Sequence, residues 1–280
     1  MIATFGHNGQ VSGIYDEPEI YELACAYRDV AAEVDAVQRW FRRHARLAGA
    51  GPADPGSVLE LAAGPAEHAV EFARRGADVA ALDLSPAMCA RARDKAREKE
   101  LRLAVINADM RDFSINRQFD LLITMLNSVC HLMTLDDLVA HLRAAAGHTA
   151  AGGLYIMEVA HPADLLTRAP RTSAEWDSDL GKLHVHVRWG GGDDAINPVT
   201  QVTREHVRIT VRDETGSRTL TDVVPNRFWT ATEITAATRL AGGFTVTACY
   251  GDFADGVAVD APSAWRMIMI LRRDQASGVA

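Results

Sequence analysis

The chain has 280 residues, 48% hydrophobic and 24% charged, enough for one large or two ordinary domains with a substantial core. Its 29 Lys and Arg against 37 Asp and Glu give a formal charge of -8, which disfavours nucleic acid as the main partner because phosphate binding needs a basic surface. No apolar run reaches the roughly 18 residues of a membrane span, Met1 to Gln10 lack the pattern of a signal peptide, and Cys25, Cys89, Cys130 and Cys249 form no CxxC pair. A cytoplasmic protein with free thiols and no metal site is expected.

Residues 17 to about 48 read as one helix. Ile20, Leu23, Ala24, Tyr27, Val30, Ala31, Val34, Val37 and Phe41 recur at three- and four-residue steps and form one apolar stripe. Asp16 suits the N-cap, Pro18 the first turn, and Gly49-Ala50-Gly51-Pro52 the stop. Residues 1–52 are therefore expected to form a helical cap.

From Ser57 short apolar runs alternate with helices. Strands are expected at Val58–Ala62, Val79–Asp83, Leu103–Ala108, Leu121–Met125 and Leu154–Val159, continuous enough in apolar character to be covered on both faces. Helices are expected at about 66–75, 86–100 and 135–149, the second capped by Ser85-Pro86 and the third by Thr134 with Asp137. This rhythm predicts a doubly wound, Rossmann-like α/β sheet over 53–160, resumed at 226–280.

Residues 161–225 break the rhythm. Leu183 to Trp189 and Thr203 to Ile209 alternate apolar and polar residues, as an antiparallel β meander with one wet face does. A capping box at Thr230 and Glu233 opens one more helix, stopped at Gly242-Gly243. Phe244–Tyr250 and Trp265–Leu271 then leave no room for a helix between them and predict an antiparallel hairpin.

Ligands of open α/β sheets collect at the carboxyl ends of the strands. The first strand-to-helix turn reads Glu60-Leu61-Ala62-Ala63-Gly64-Pro65-Ala66-Glu67. Only Gly64 satisfies a dinucleotide fingerprint, Pro65 offers no N–H, and Glu60 and Glu67 oppose a pyrophosphate. A ligand with an ammonium and a sulfonium reverses the sign of that argument, and S-adenosylmethionine (SAM) has both. Glu60 then faces the ammonium. Asp83, 23 residues further on, takes the ribose hydroxyls, and Asp109 accepts from the adenine amino group.

The run from Val58 to Met88, with Asn107-Ala108-Asp109-Met110-Arg111-Asp112, Phe119-Asp120-Leu121-Leu122-Ile123 and Gly152-Gly153-Leu154, resembles the ordered motifs of class I SAM-dependent methyltransferases. Ala62 and Ala66 stand where that family usually has glycine. The resemblance implies methyl transfer to a small-molecule acceptor, an amine ahead of a hydroxyl, and a cofactor site of Glu60, Ala62, Gly64, Asp83, Leu84, Met88, Asp109, Met110 and Leu126. The stretch from Met125 to Leu132 is similar to one in small-molecule and aminosugar N-methyltransferases, in which a histidine beside the fourth strand faces the acceptor and an N-terminal tyrosine lies near the sulfonium. His131 is accordingly the candidate base, its ordinary pKa near 6.5 suiting proton transfer at neutral pH. Tyr15 and Tyr21 are the candidate tyrosines, and Arg28 is the candidate partner of the SAM carboxylate. The meander over 161–225 is expected to be a substrate lid or a homodimer surface. A small-molecule O-methyltransferase, a non-catalytic SAM-binding protein and a nicotinamide-dependent oxidoreductase are the alternatives. His184 and His186 share a strand face with Arg188, Arg204 and Arg208, which speaks against a metal site there.

Overall fold

In the computed structural model, which describes residues 13–49, 53–163 and 174–275, the N-terminal stripe is broken. A 3-10 turn at Ile14–Asp16 precedes helix α1 (Pro18–Cys25), and α2 (Val30–His44) starts again after a turn. The single helix expected over 17–48 is thus two. Asp29 accounts for the break, because its side chain accepts the Ala32 N–H at 3.0 Å and so caps a new helix. Pro18 does open α1, whereas Asp16 sits inside the 3-10 turn and Glu17 occupies the N-cap without a side-chain bond. Of the expected stop signal, residues 50–52 lie outside the described residues.

The sheet elements follow as β1 (Ser57–Leu61), α3 (Glu67–Arg74), β2 (Asp78–Asp83), α4 (Pro86–Glu98), β3 (Ala104–Asn107), β4 (Phe119–Thr124), α5 (Leu135–His148) and β5 (Thr149–Ala160). After the small sheet come α6 (Ala231–Ala241), β10 (Phe244–Tyr250) and β11 (Arg266–Arg273). Caps form as the sequence requires. Ser85 accepts from Met88 N, and Thr134–Asp137 and Thr230–Glu233 close reciprocal capping boxes.

The seven strands lie in the order β10-β11-β5-β4-β1-β2-β3. β1 to β5 are parallel, while β11 runs antiparallel to both β5 and β10. This is the doubly wound α/β fold expected. β1 pairs with β2 on one side and β4 on the other, so the order reverses there, and a crevice opens beyond those strand ends.

Strand alternation divides the core into two layers. Leu59, Leu61, Tyr155 and Met157 pack beneath α5 and α6. Val58, Leu154, Ile156 and Ile268 pack beneath α2 and α3 with Val37, Phe41 and Phe72. Glu60, Glu158 and Arg266 share the parity of this second layer, which sets up the buried charges described below.

Between β5 and α6 a separate antiparallel sheet runs β6 (Ala174–Leu180), β7 (Leu183–Trp189), β8 (Val202–Asp213) and β9 (Gly216–Arg227). Its inner face buries Val185, Val187, Val207, Ile209, Leu220 and Val224 against Ile14, Ile20 and Ala24. The small sheet therefore packs on the N-terminal turn and α1.

Candidate active site

The turn from β1 into α3 carries three left-handed residues, Ala62 (φ 50°), Gly64 (φ 53°) and Ala66 (φ 62°). Each alanine pays roughly 1–2 kcal/mol for a conformation that glycine adopts freely. Local bonds hold the turn: Ala63 N donates to Leu82 O, and Ala66 N donates to Ala63 O. A side chain on Gly64 would come within 3.8 Å of the Tyr21 ring and 4.0 Å of Met88 Sδ, so bare backbone keeps open the space between those two side chains.

Asp83 ends β2 with Oδ2 accepting Gly64 N–H at 2.7 Å and Oδ1 accepting Ser85 N–H at 2.8 Å. Burial raises its pKa, partly offset by those N–H donors. Of the three strand-end acids this one is held by backbone donors and not by a cation. Asp109 is instead gripped by the Arg111 guanidinium and takes the Arg111 N–H, which keeps its pKa low, and Arg111 reaches on to Asp137. Leu84 is 66% exposed, whereas Met88 and Met110 are buried. Met110 O is bonded to His141 Nδ1 at 2.9 Å, and His141 Nε2 to Tyr155 Oη at 2.6 Å, so α5 holds the loop after β3.

Beside this turn lies a narrow cleft whose walls include Tyr21, Arg28, Glu60, Ala62, Gly64 and Leu126. Two of the charged groups are already engaged. Glu60 Oε2 accepts Ala69 N–H at 2.8 Å, and its other oxygen lies 3.4 Å from His68 Nδ1. Arg28 binds Glu33 and Glu158, each through two contacts, leaving one Nη1–H for a further carboxylate. Leu126 (φ 52°) donates its N–H to Glu158 Oε2 at 2.8 Å.

These contacts belong to a buried ionic network that sequence reasoning missed. His68 donates to Glu33 at 2.7 Å. Burial alone would lower its pKa, but bonds to Glu33 and Glu60 raise it to about 9, so it is an imidazolium at neutral pH. Glu158 is fully buried; its burial penalty is outweighed by Arg28 and Arg266, and its pKa is lowered. Three cations thus face three carboxylates beneath the cavity, an arrangement that is costly to break from one side. One signal was legible: Glu158 interrupts the otherwise apolar run Leu154-Tyr155-Ile156-Met157.

After β4, Leu126 and Asn127 are both left-handed, which turns the chain into a 3-10 turn at Ser128–His131. His131 Nε2 lies 3.1 Å from Tyr15 Oη, and the two rings meet edge to face at 5.4 Å. Burial lowers the His131 pKa and raises that of Tyr15, so a neutral imidazole accepts from a protonated phenol. Tyr21 stands beside them, its ring 5.8 Å from Tyr15.

The other histidines lie elsewhere. His184 and His186 pair with Asp177 and Asp179 across β6 and β7. Glu205 lies on the opposite face, where it accepts from Trp189 and Asn226. Among the described residues no His, Cys, Asp and Glu cluster has the geometry of a metal site.

Fold and crevice together define a Rossmann-like α/β protein with its cleft at the carboxyl ends of the parallel strands. Residues 58–153 match the family model described as a methyltransferase domain. The chain is 30% identical over 145 residues to the dTDP-3-amino-3,4,6-trideoxy-alpha-D-glucopyranose N,N-dimethyltransferase of Streptomyces venezuelae, over 51% of this chain and 56% of that protein. It thus spans little more than half of that relative. It is 29% identical over 240 residues to the dTDP-4-amino-2,3,4,6-tetradeoxy-D-glucose N,N-dimethyltransferase of Saccharopolyspora spinosa, over 83% of this chain and 88% of that one. The crystal structure of Streptomyces venezuelae DesVI has the same fold, with TM-score 0.74 and 24% identity over 93% of this chain and 98% of that one. Residues 58–153 are thus similar to a methyltransferase domain, set in a chain with the fold of DesVI.

Proposed function

We propose that the protein methylates the amine of a nucleotide-linked aminodeoxysugar, with SAM as donor. The observation that carries this reading is the Tyr15–His131 pair at 3.1 Å, which joins the N-terminal turn to the loop after β4 beside the cavity. The substrates named for the two relatives supply the acceptor class. When bound, SAM supplies an electrophilic methyl group on a sulfonium that departs as a neutral thioether.

The residues fit such a group: Gly64 leaves bare backbone, Asp83 would offer further lone pairs to ribose hydroxyls, Met88 and Leu84 would supply apolar walls, and Arg28 keeps one N–H that would take a carboxylate. Asp109 and Met110 would hold the adenine, with Arg111 bound to Asp109. In-line transfer demands alignment more than covalent help. Tyr21 would contact the cofactor beside Gly64, Tyr15 would orient the reacting groups, and His131 Nε2 would take up the amine proton, directly or through the Tyr15 hydroxyl. The protein is proposed to comprise a helical cap (1–52), a cofactor core (53–160 and 226–280) and an inserted subdomain (161–225) that serves as a substrate lid or a dimer surface. A cytoplasmic location, in keeping with free thiols among the described residues, is part of the same reading; no helix there is long and apolar enough to cross a membrane.

The test is calorimetric titration with SAM, then turnover of dTDP-4-amino-2,3,4,6-tetradeoxy-D-glucose and of its 4-hydroxy analogue, followed by S-adenosylhomocysteine release. Binding and turnover of the amine alone are expected. Absence of SAM binding overturns the reading, and preference for the hydroxyl analogue replaces it with an O-methyltransferase.

A further inference from the structure

Tyr15 sits on a three-residue 3-10 turn, an element too short to hold a side chain by its own cooperativity. Contacts from outside fix it. Asp222, on the inner face of β9 between the buried Leu220 and Val224, accepts the Ile14 N–H through Oδ2 at 2.9 Å. Ser85 Oγ donates to Tyr15 O at 2.9 Å. The same Ser85 gives its N–H to Asp83 Oδ1 at 2.8 Å. Ile14 itself is fully buried against the small sheet. The turn is thereby clamped between the inserted sheet on one side and the strand end that carries Asp83 on the other.

We propose that Asp222 is a positioning residue for Tyr15, so that the inserted sheet sets the catalytic geometry and does more than cover the acceptor. The inference rests on the Tyr15–His131 pair acting in methyl transfer. Asp222 touches neither member of the pair through its carboxylate; it holds the peptide that precedes Tyr15. A displacement of about 1 Å at a reacting group is enough for a loss near a hundredfold.

The test measures kcat and KM for SAM with dTDP-4-amino-2,3,4,6-tetradeoxy-D-glucose as acceptor. Asp222→Ala is expected to lower kcat about ten- to a hundredfold while KM for SAM stays within about twofold. Asp222→Asn retains an oxygen for the Ile14 N–H and is expected to restore most of the parent rate. Gly13→Ala perturbs the clamp from the other side, because its methyl would lie 3.0 Å from Asp222 Oδ2 while φ stays at an ordinary −76°. It is expected to lower kcat in the same way and is the measurement to use should Asp222→Ala not fold. In a Tyr15→Phe background, removing Asp222 is expected to cost less than threefold, since residues acting as a unit are not additive. Parent-like kcat in Asp222→Ala, or an equal loss in both backgrounds, overturns the proposal. Parent-like kcat in Tyr15→Phe removes the catalytic pair itself, and the role of Asp222 with it.

Discussion

Raising the pH should unfasten the buried network beneath the cavity by taking the proton from His68. In the folded protein its pKa is raised to about 9, against an ordinary value near 6.5, so folding stabilises the charged ring. A raised folded pKa gives stability that is fully present below 6.5 and is lost as pH climbs through 9. At about 1.4 kcal/mol per pH unit, the 2.5-unit gap amounts to roughly 3 kcal/mol, most of it disappearing between pH 6 and 9. For a domain whose whole stability is about 5–15 kcal/mol, that loss is large. Urea unfolding at pH 6, 7.5 and 9 measures it, with His68→Gln as control. The parent is expected to lose the roughly 3 kcal/mol, and the variant, weaker at pH 6, is expected to vary much less. Equal slopes for parent and variant would refute the assignment of a charged His68 between Glu33 and Glu60.

His141 predicts the opposite limb. Burial lowers its pKa to about 4, so its contribution is present above 6.5 and declines by roughly 3 kcal/mol as pH falls to 4; unfolding of His141→Asn should lack that acid limb. Ala62→Gly should raise stability by about 1 kcal/mol in denaturant melts, since Ala62 holds a left-handed conformation while only partly buried; a loss of stability would show that the turn is not strained. His131→Ala should lower kcat by about a hundredfold or more at pH 7.5 with SAM affinity retained, and full turnover would discard it as the base.

Much of the sheet was readable because buried parallel strands and capped helices leave strong local marks. Leu121 to Ile123 is an unbroken apolar run, Val58 to Leu61 is interrupted only by Glu60, and Thr134–Asp137 and Thr230–Glu233 spell their caps in the sequence. The break at Asp29 was hidden, since the apolar stripe continues across it and a periodicity count does not see a side chain capping the next turn. β6 was missed because Ala174-Glu175-Trp176-Asp177-Ser178-Asp179 is too polar to read as a strand until β7 supplies His184 and His186 opposite its acids. The site residues were found as types and positions, but not as partners. Tyr15 and His131 stand 116 residues apart, and nothing local joins them. The acidic strand tips also proved unequal, because Glu60 and Asp109 carry their own cations and Asp83 does not.

The strand order has a consequence for how this chain is made. β11 lies between β5 and β10, although it is the last of the three to leave the ribosome. Until it arrives, the Tyr155–Val159 stretch of β5, apolar but for Glu158, presents an open edge of unpaired amides, the kind of surface on which nascent chains aggregate. A stop codon before Arg266 would therefore do more harm than its position near the end suggests: it would take the keystone from the sheet and leave β10 with nothing to pair with.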